Sequence, residues 1–322
     1  MKTKAAVTIV LLVLTLISAF LFYTFWGIWS HSYNLPVVNK TVPVSKYNLD
    51  FSKEAAVVER LVDKPESSPL FPQTADEITA DNAAIAYSYA LKQLRGSSEN
   101  QEKGVRYLQE LIRLEPDNMA YSNTLRLHMM STSQADQLLS FLEEVKGSSP
   151  RIQLQKALAY VDLLQNPDLG TAVLGQTSLR SIQELNEILE QNEYDLMARY
   201  ARGLNNLYWP SGLRRTPYAV EDFSYCLAVA KELEPIMPLR LWPHIYEAYG
   251  DALVKNGDIE TGIKVWRDGA EQYPEEKGLR ERAKLNESQA YEFVKNSRGI
   301  DFFQRPDPDI SDISILWHEP SS

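Results

Sequence analysis

The sequence predicts an all-α protein in which helix pairs stack in tandem as an α-solenoid, preceded by one membrane-spanning helix. Three observations carry this reading. Between Asp81 and Asn296 apolar residues recur at three- and four-residue intervals, with no sustained two-residue alternation of the kind a strand needs. Turn signals interrupt that pattern at helix-length spacing, among them Arg95-Gly-Ser-Ser, Glu115-Pro-Asp-Asn, Lys255-Asn-Gly-Asp and Tyr273-Pro. And Ala5–Trp29 is an uninterrupted run of 25 uncharged residues.

That run comes first in the chain. At about 1.5 Å per residue it reaches beyond a hydrocarbon core of about 30 Å. Lys2 and Lys4 precede it, and Tyr23, Phe25, Trp26 and Trp29 crowd its far end, where amphipathic aromatics prefer the headgroup boundary. Ile17 makes a poor partner for Ala19 in a cleavage site, and the apolar run continues past Ala19, so an uncleaved signal anchor is expected over residues 5–29. The amino group, Lys2 and Lys4 on one side, against Lys40 and Lys46 on the other, favour a cytoplasmic N-terminus and a periplasmic or lumenal body.

Residues 30–80 read as a juxtamembrane linker. Pro36, Pro43, Pro65, Pro69 and Pro72 interrupt it, and Ala55, Val58 and Leu61 mark one short helix within a stalk.

Residues 81–296 form the repeat domain. Its clearest unit runs from Pro243 to Pro274, with Tyr246 and Gly250 in one helix, Gly257-Asp258 at the turn, and Gly262, Trp266 and Gly269 in the second. Helices cross closely where one presents glycine or alanine and the other an aromatic, and Pro274 then stops the second helix. This unit resembles the tetratricopeptide repeat (TPR): Tyr246 takes the family's first aromatic position, Gly250 its helix-A glycine, and Gly262, Trp266 and Gly269 its helix-B positions. Earlier units align with it at Asn82–Pro116, Met119–Pro150, Arg151–Glu193 and Tyr194–Pro235, with Pro150 lying 34 residues after Pro116, the family's period. Insertions at Pro167–Gln176 and Trp209–Thr216 depart from the pattern. About five helix pairs result, or a generic helical solenoid with one true TPR unit. Glu275–Asn296 reads as one more, strongly polar capping helix.

Composition excludes much. The chain of 322 residues has 33 Lys+Arg against 43 Asp+Glu, a net charge of −10. Without Lys2 and Lys4 the remainder carries −12, which argues against nucleic acid and against lying on anionic lipid. The lone Cys226 leaves no intramolecular disulfide and no multi-cysteine metal site, and its place in a helix-B small position reads as a buried hydrophobe. There is no phosphate loop, no G-x-S-x-G and no H-E-x-x-H, so no enzyme activity, cofactor or metal is expected.

What remains is a binding surface. The resemblance implies a concave groove, lined by the first helix of each pair, that holds an extended peptide or a partner helix. In its register Ala84, Tyr87, Leu91 and Leu94 face the groove in the first unit, Met197, Tyr200, Leu204 and Leu207 in the fourth, and His244, Glu247 and Asp251 in the last. Each could instead pack against the neighbouring unit. Where the family's carboxylate clamp has Lys, Asn and Arg, Glu247 and Asp251 stand, so basic or apolar partner segments are favoured. Trp209 beside Arg214 and Arg215 is either interface chemistry or a plug in the wall. The C-terminal tail, residues 297–322, is expected to be flexible. Trp317 within it reads as part of a docking motif, of a segment folded back into its own groove, or of a disordered end. The expected function is a membrane-anchored scaffold or assembly factor for protein–protein interaction outside the cytoplasm, or a permanent accessory or regulatory subunit of a membrane-bound enzyme complex.

Overall fold

The computed structural model describes Thr15, Tyr33 and residues 35–145, 149–306 and 311–317. The expected anchor, residues 5–29, lies outside the described residues apart from Thr15, as do His31, residues 307–310 and His318. Among the described residues the chain is all-helical, without a strand, and no helix is long and apolar enough to cross a membrane.

After a short first helix, α1 (Ser52–Glu59), ten helices follow two by two: α2 (Ala83–Leu94) with α3 (Ser98–Leu114), α4 (Met119–Ser131) with α5 (Ala135–Glu144), α6 (Pro150–Leu163) with α7 (Thr171–Gln191), α8 (Leu196–Leu207) with α9 (Thr216–Leu233), and α10 (Leu241–Lys255) with α11 (Ile259–Gln272). Two shorter helices, α12 (Lys277–Arg282) and α13 (Glu287–Arg298), close the order. Each pair packs internally, and its second helix touches the first helix of the next pair. The first helices α4, α6, α8 and α10 also touch one another in sequence and present one shared face.

Amphipathic spacing drives this arrangement. In α3 the residues Gly104, Tyr107, Leu108, Leu111 and Ile112 are buried, a stripe at helical intervals, while Glu99, Lys103 and Glu110 stay outside. Helix starts are capped locally: the Asn118 side chain accepts from Ala120 N, and the Asp195 side chain accepts from Ala198 N (2.9 Å). Between α10 and α11 the chain reverses through Gly257 at φ +95°, a left-handed position that only glycine takes without strain. There Asp258 N reaches Leu253 O (2.9 Å) and Gly257 N reaches Val254 O (3.1 Å), which closes the end of α10.

The last pair packs by size complementarity. Trp266, fully buried, lays its indole against Gly250 and donates Nε1–H to Glu247 O (3.2 Å), and Gly269 receives the Tyr246 ring in the same way. A Cβ at position 250 would lie 2.2 Å from Trp266 Nε1. In an open helix Gly→Ala stabilises by about 1 kcal/mol. Here the overlap with a rigid, hydrogen-bonded indole dominates, so Gly250→Ala is expected to destabilise the protein by about 1–3 kcal/mol. The urea midpoint followed by helical circular dichroism measures it, and a midpoint shifted upward would refute the packing argument.

Two expectations need correction. The segment after Pro274 is not one helix over Glu275–Asn296: it breaks into α12 and α13. Asn286 restarts it, its side chain accepting from Gln289 N (3.0 Å) while Gln289 Oε1 accepts from Asn286 N (3.1 Å). The segment read as a stalk is, from Leu35 onward, part of the body. Tyr47, Leu49 and Phe51 are buried, and Asn48 Nδ2 donates to Asp195 Oδ2 (2.9 Å). Glu54 accepts from Met119 N (2.8 Å) and pairs with Arg151. Cys226 lies wholly within the core, and burial, aided by the neighbouring Asp222 carboxylate, pushes its thiol well above the ordinary range.

Candidate functional site

The face shared by α4, α6, α8 and α10 is occupied by the chain's own C-terminal segment. It leaves α13 through Gly299, at φ +64°, and runs back past the helices in reverse order. Ile300 O accepts from Ser211 N (2.8 Å), Gln304 N donates to Tyr208 O (3.1 Å), and Phe303 meets the Trp209 ring edge-on. Next, Arg305 reaches the end of α6. Its Nε donates to Leu164 O (2.9 Å) and its Nη2 to Asn166 O (3.2 Å), Pro167 O (3.2 Å) and Leu169 O (3.3 Å). A helix C-terminus leaves carbonyls unpaired and carries partial negative charge, so a guanidinium is the matching group. Gln165 Nε2 then donates to Pro306 O (2.9 Å).

Farther along, the segment meets a buried polar cluster on α4 and α6. Arg126, with no exposed surface, pairs with Asp162 (2.8 Å) and donates to Gln155 Oε1 (2.9 Å) and Asn123 Oδ1 (2.8 Å). It also donates to both oxygens of Ser311, main chain and hydroxyl, and that hydroxyl donates to Asp162 Oδ1 (2.9 Å). Asn123 Nδ2 donates to Asp312 Oδ1 (3.0 Å), which also accepts from Ser314 N (2.8 Å). Burial raises the Asp312 carboxyl, but these hydrogen bonds and Arg126 outweigh it and hold the group below its ordinary value. Ile313, Leu316 and Trp317 are buried beyond it, and the Trp317 ring lies 6.2 Å from that of Phe51.

A second cluster fixes the point of departure. Asp251, with no exposed surface, accepts from Arg282 Nε (2.9 Å) and Arg298 Nε (2.7 Å). Arg298 also donates to the Tyr208 hydroxyl and covers its ring at 5.2 Å. Lys255 Nζ donates to Leu207 O (2.7 Å) and Arg298 O (2.9 Å), tying the ends of α8 and α13 together. Burial and the Arg298 charge push this ammonium down to about 7.

The residues singled out in the sequence divide accordingly. Met197, Tyr200, Leu204 and His244 line one apolar cavity of about 260 Å³, with Leu158, and Ile313 of the C-terminal segment, also on its wall. His244 remains largely exposed, 3.9 Å from Glu247, and Glu247 is half-buried beside Arg282 (3.5 Å). Trp209 is a plug rather than an exposed contact: it is 8% exposed, donates to Ser178 Oγ (2.8 Å) and lies under Arg215. Arg215 Nε donates to Asn206 Oδ1 (2.9 Å), whereas Arg214 is exposed at a left-handed turn (φ 52°). Tyr87 is not a groove contact either. It is buried between α2 and α4, its hydroxyl paired with Thr124 Oγ1 (2.8 Å). Asp251 is interior, and Trp317 is docked.

Sequence reasoning missed Asn123, Arg126, Asp162, Lys255 and Arg305. One signal was present: Asn123 and Arg126 stand one helical turn apart on the side of α4 that also carries buried Ala120, which a polar pair on a solvated face would not do. Among the described residues no group of three or more His, Cys, Asp or Glu is placed to hold a metal ion. Compared with known proteins, the chain matches no family model, no curated protein and no solved structure.

Proposed function

We propose that this protein is a membrane-anchored, TPR-like α-solenoid that acts as a scaffold or assembly factor, holding extended segments of other proteins in the groove of its first helices. The body faces the periplasm or a lumen, the N-terminus faces the cytoplasm, and basic or apolar partner segments are favoured over acidic ones.

One observation carries the reading. Along α4 and the turns that follow α6 and α8, an irregular piece of polypeptide is held through bonds to its main chain at Ile300, Gln304, Pro306 and Ser311. A surface that satisfies the backbone of a non-helical segment has the chemistry of a peptide receptor, since any sequence brings the same backbone groups. The uncharged run at residues 5–29 supports the anchor, and the size complementarity of Gly250 with Trp266 supports the TPR-like packing.

Photo-crosslinking in native membranes tests the function. With the crosslinking residue at His244, an exposed position on the groove, a defined set of proteins should be recovered; at Leu61, exposed and remote from it, that set should be missing. Identical recovery from both positions, or none from either, would defeat the proposal. Digestion of the body from the cytoplasmic side of sealed vesicles would defeat the topology.

A further inference from the structure

We infer that the C-terminal segment, through residues 299–306 and 311–317, is a resident competitor in the groove, and that the groove's external partner is a non-helical segment of the same chemistry. That chemistry has three parts: an arginine for the carbonyls that end α6, a serine–acid pair for Arg126 and Asn123, and an aliphatic–tryptophan end for the patch around Phe51. This rests on the peptide-holding role proposed above and names the partner and the regulation of that site.

Three features separate an exchangeable occupant from a structural strut. The first is how the groove is satisfied without it. If Ser311 leaves, Arg126 keeps Asp162, Gln155 and Asn123 as partners, so no buried charge is orphaned. The carbonyls of Leu164, Asn166, Pro167 and Leu169, once Arg305 leaves, form the open end of a helix and its turn, where water replaces the guanidinium. The second is how the segment itself is held. From Gly299 to Pro306 it has no regular element, and beyond Ser311 only the short turn Ser314–Leu316, so few internal bonds break when it lifts away. The third is specificity. Arg305, Ser311 and Asp312 each meet named polar groups of the groove through their side chains, a pattern that defines a ligand by sequence rather than by apolar burial alone.

Tethering makes the competition strong. A segment joined to its site by a short connection acts at an effective concentration on the order of millimolar, so an outside segment with the same contacts must exceed that or bind better. The wild-type chain is therefore mostly closed to partners, and a partner gains access by matching the same three parts more completely.

The test uses the full-length chain and a fluorescein-labelled peptide of residues 299–322. The double variant Arg305→Ala/Trp317→Ala weakens the resident segment and leaves the groove untouched. It should bind the labelled peptide at least about ten-fold more tightly than wild type does. A peptide carrying the same two alanines should bind the variant at least about ten-fold more weakly than the unaltered peptide. Equal affinity of both proteins, or binding by neither while the variant keeps its helical signal, overturns the inference. A second measurement guards against a variant that fails to fold. In wild type, excess unlabelled peptide should speed hydrogen exchange at the amides of Gln304 and Trp317; unchanged exchange also overturns the inference. No native partner enters these measurements. Peptide exchange without membrane crosslinks therefore sinks only the scaffold reading, and crosslinks without peptide exchange sink only the competitor.

Discussion

Asp251→Ala is expected to cost about 3–5 kcal/mol of folding stability, because it leaves the Arg298 guanidinium without its carboxylate partner and Arg282 with only Glu247, at 3.5 Å. Arg282 and Arg298 both end on this carboxylate, at 2.9 and 2.7 Å, and neither has a second full ion pair of comparable closeness. Burial pushes the Asp251 carboxyl up, but the two guanidiniums together outweigh it and hold it below the ordinary carboxylate value. The sign of the pH dependence follows. A group whose folded pKa lies below its unfolded value stabilises fully above the unfolded pKa, about 4, and the increment is lost as pH falls through the folded pKa. The stability difference between wild type and Asp251→Ala should therefore be constant from neutral pH down to about 4 and shrink below it. Asp251→Asn keeps the shape and one acceptor oxygen, and should lose stability at neutral pH as well, because the charge rather than the volume is missing. Urea titrations of the three proteins at pH 7, 5 and 3 measure the effect. A difference that grows on acidification would refute the assignment of the charge to Asp251. The position also joins stability to the site: Arg298 immediately precedes the turn into the docked C-terminal segment, so the alanine variant should show that segment cleaved early in limited proteolysis.

Much of the helical packing was legible because it depends on size at fixed spacing. Gly250 and Trp266, and Gly269 and Tyr246, are pairs in which a missing Cβ meets an aromatic ring, and glycine in a helix has few other reasons to be there. Apolar stripes at three and four residues gave the helix order for the same reason, since one face must be buried whatever the partner. Legibility failed where a contact joins a side chain to a backbone. Arg305 binds the Leu164 carbonyl at the end of α6 and three carbonyls of the turn that follows, and carbonyls leave no trace in a sequence. It failed also for buried ion pairs. Arg126 with Asp162, and Asp251 with Arg298, are charged residues on helices, and periodicity assigns such residues to solvent unless their partner is known. Tyr47 and Phe51 were hidden in a different way: the prolines around them mark extended chain, and extended chain packs on a body as readily as it spaces one.

Arg126→Met is expected to destabilise the protein by about 3–5 kcal/mol, and a second substitution separates its two roles. The methionine leaves Asp162 buried with only the Ser311 hydroxyl as a donor, and it removes the donor to Gln155, Asn123 and the Ser311 carbonyl. If the loss is chiefly that of an uncompensated carboxylate, adding Asp162→Leu should restore most of it, because a buried ion pair replaced on both sides by apolar groups of similar size is often neutral. The double variant still has no group to receive Ser311. Its urea midpoint should return toward wild type while protease cleavage within residues 299–317 stays fast. A return of both would mean that Arg126 serves only the α4–α6 contact; a return of neither would mean that the cluster acts as one unit that apolar packing does not replace. The expected split, with stability recovered and docking lost, follows from geometry: Asp162 and Gln155 belong to the wall, whereas Ser311 belongs to what the wall holds.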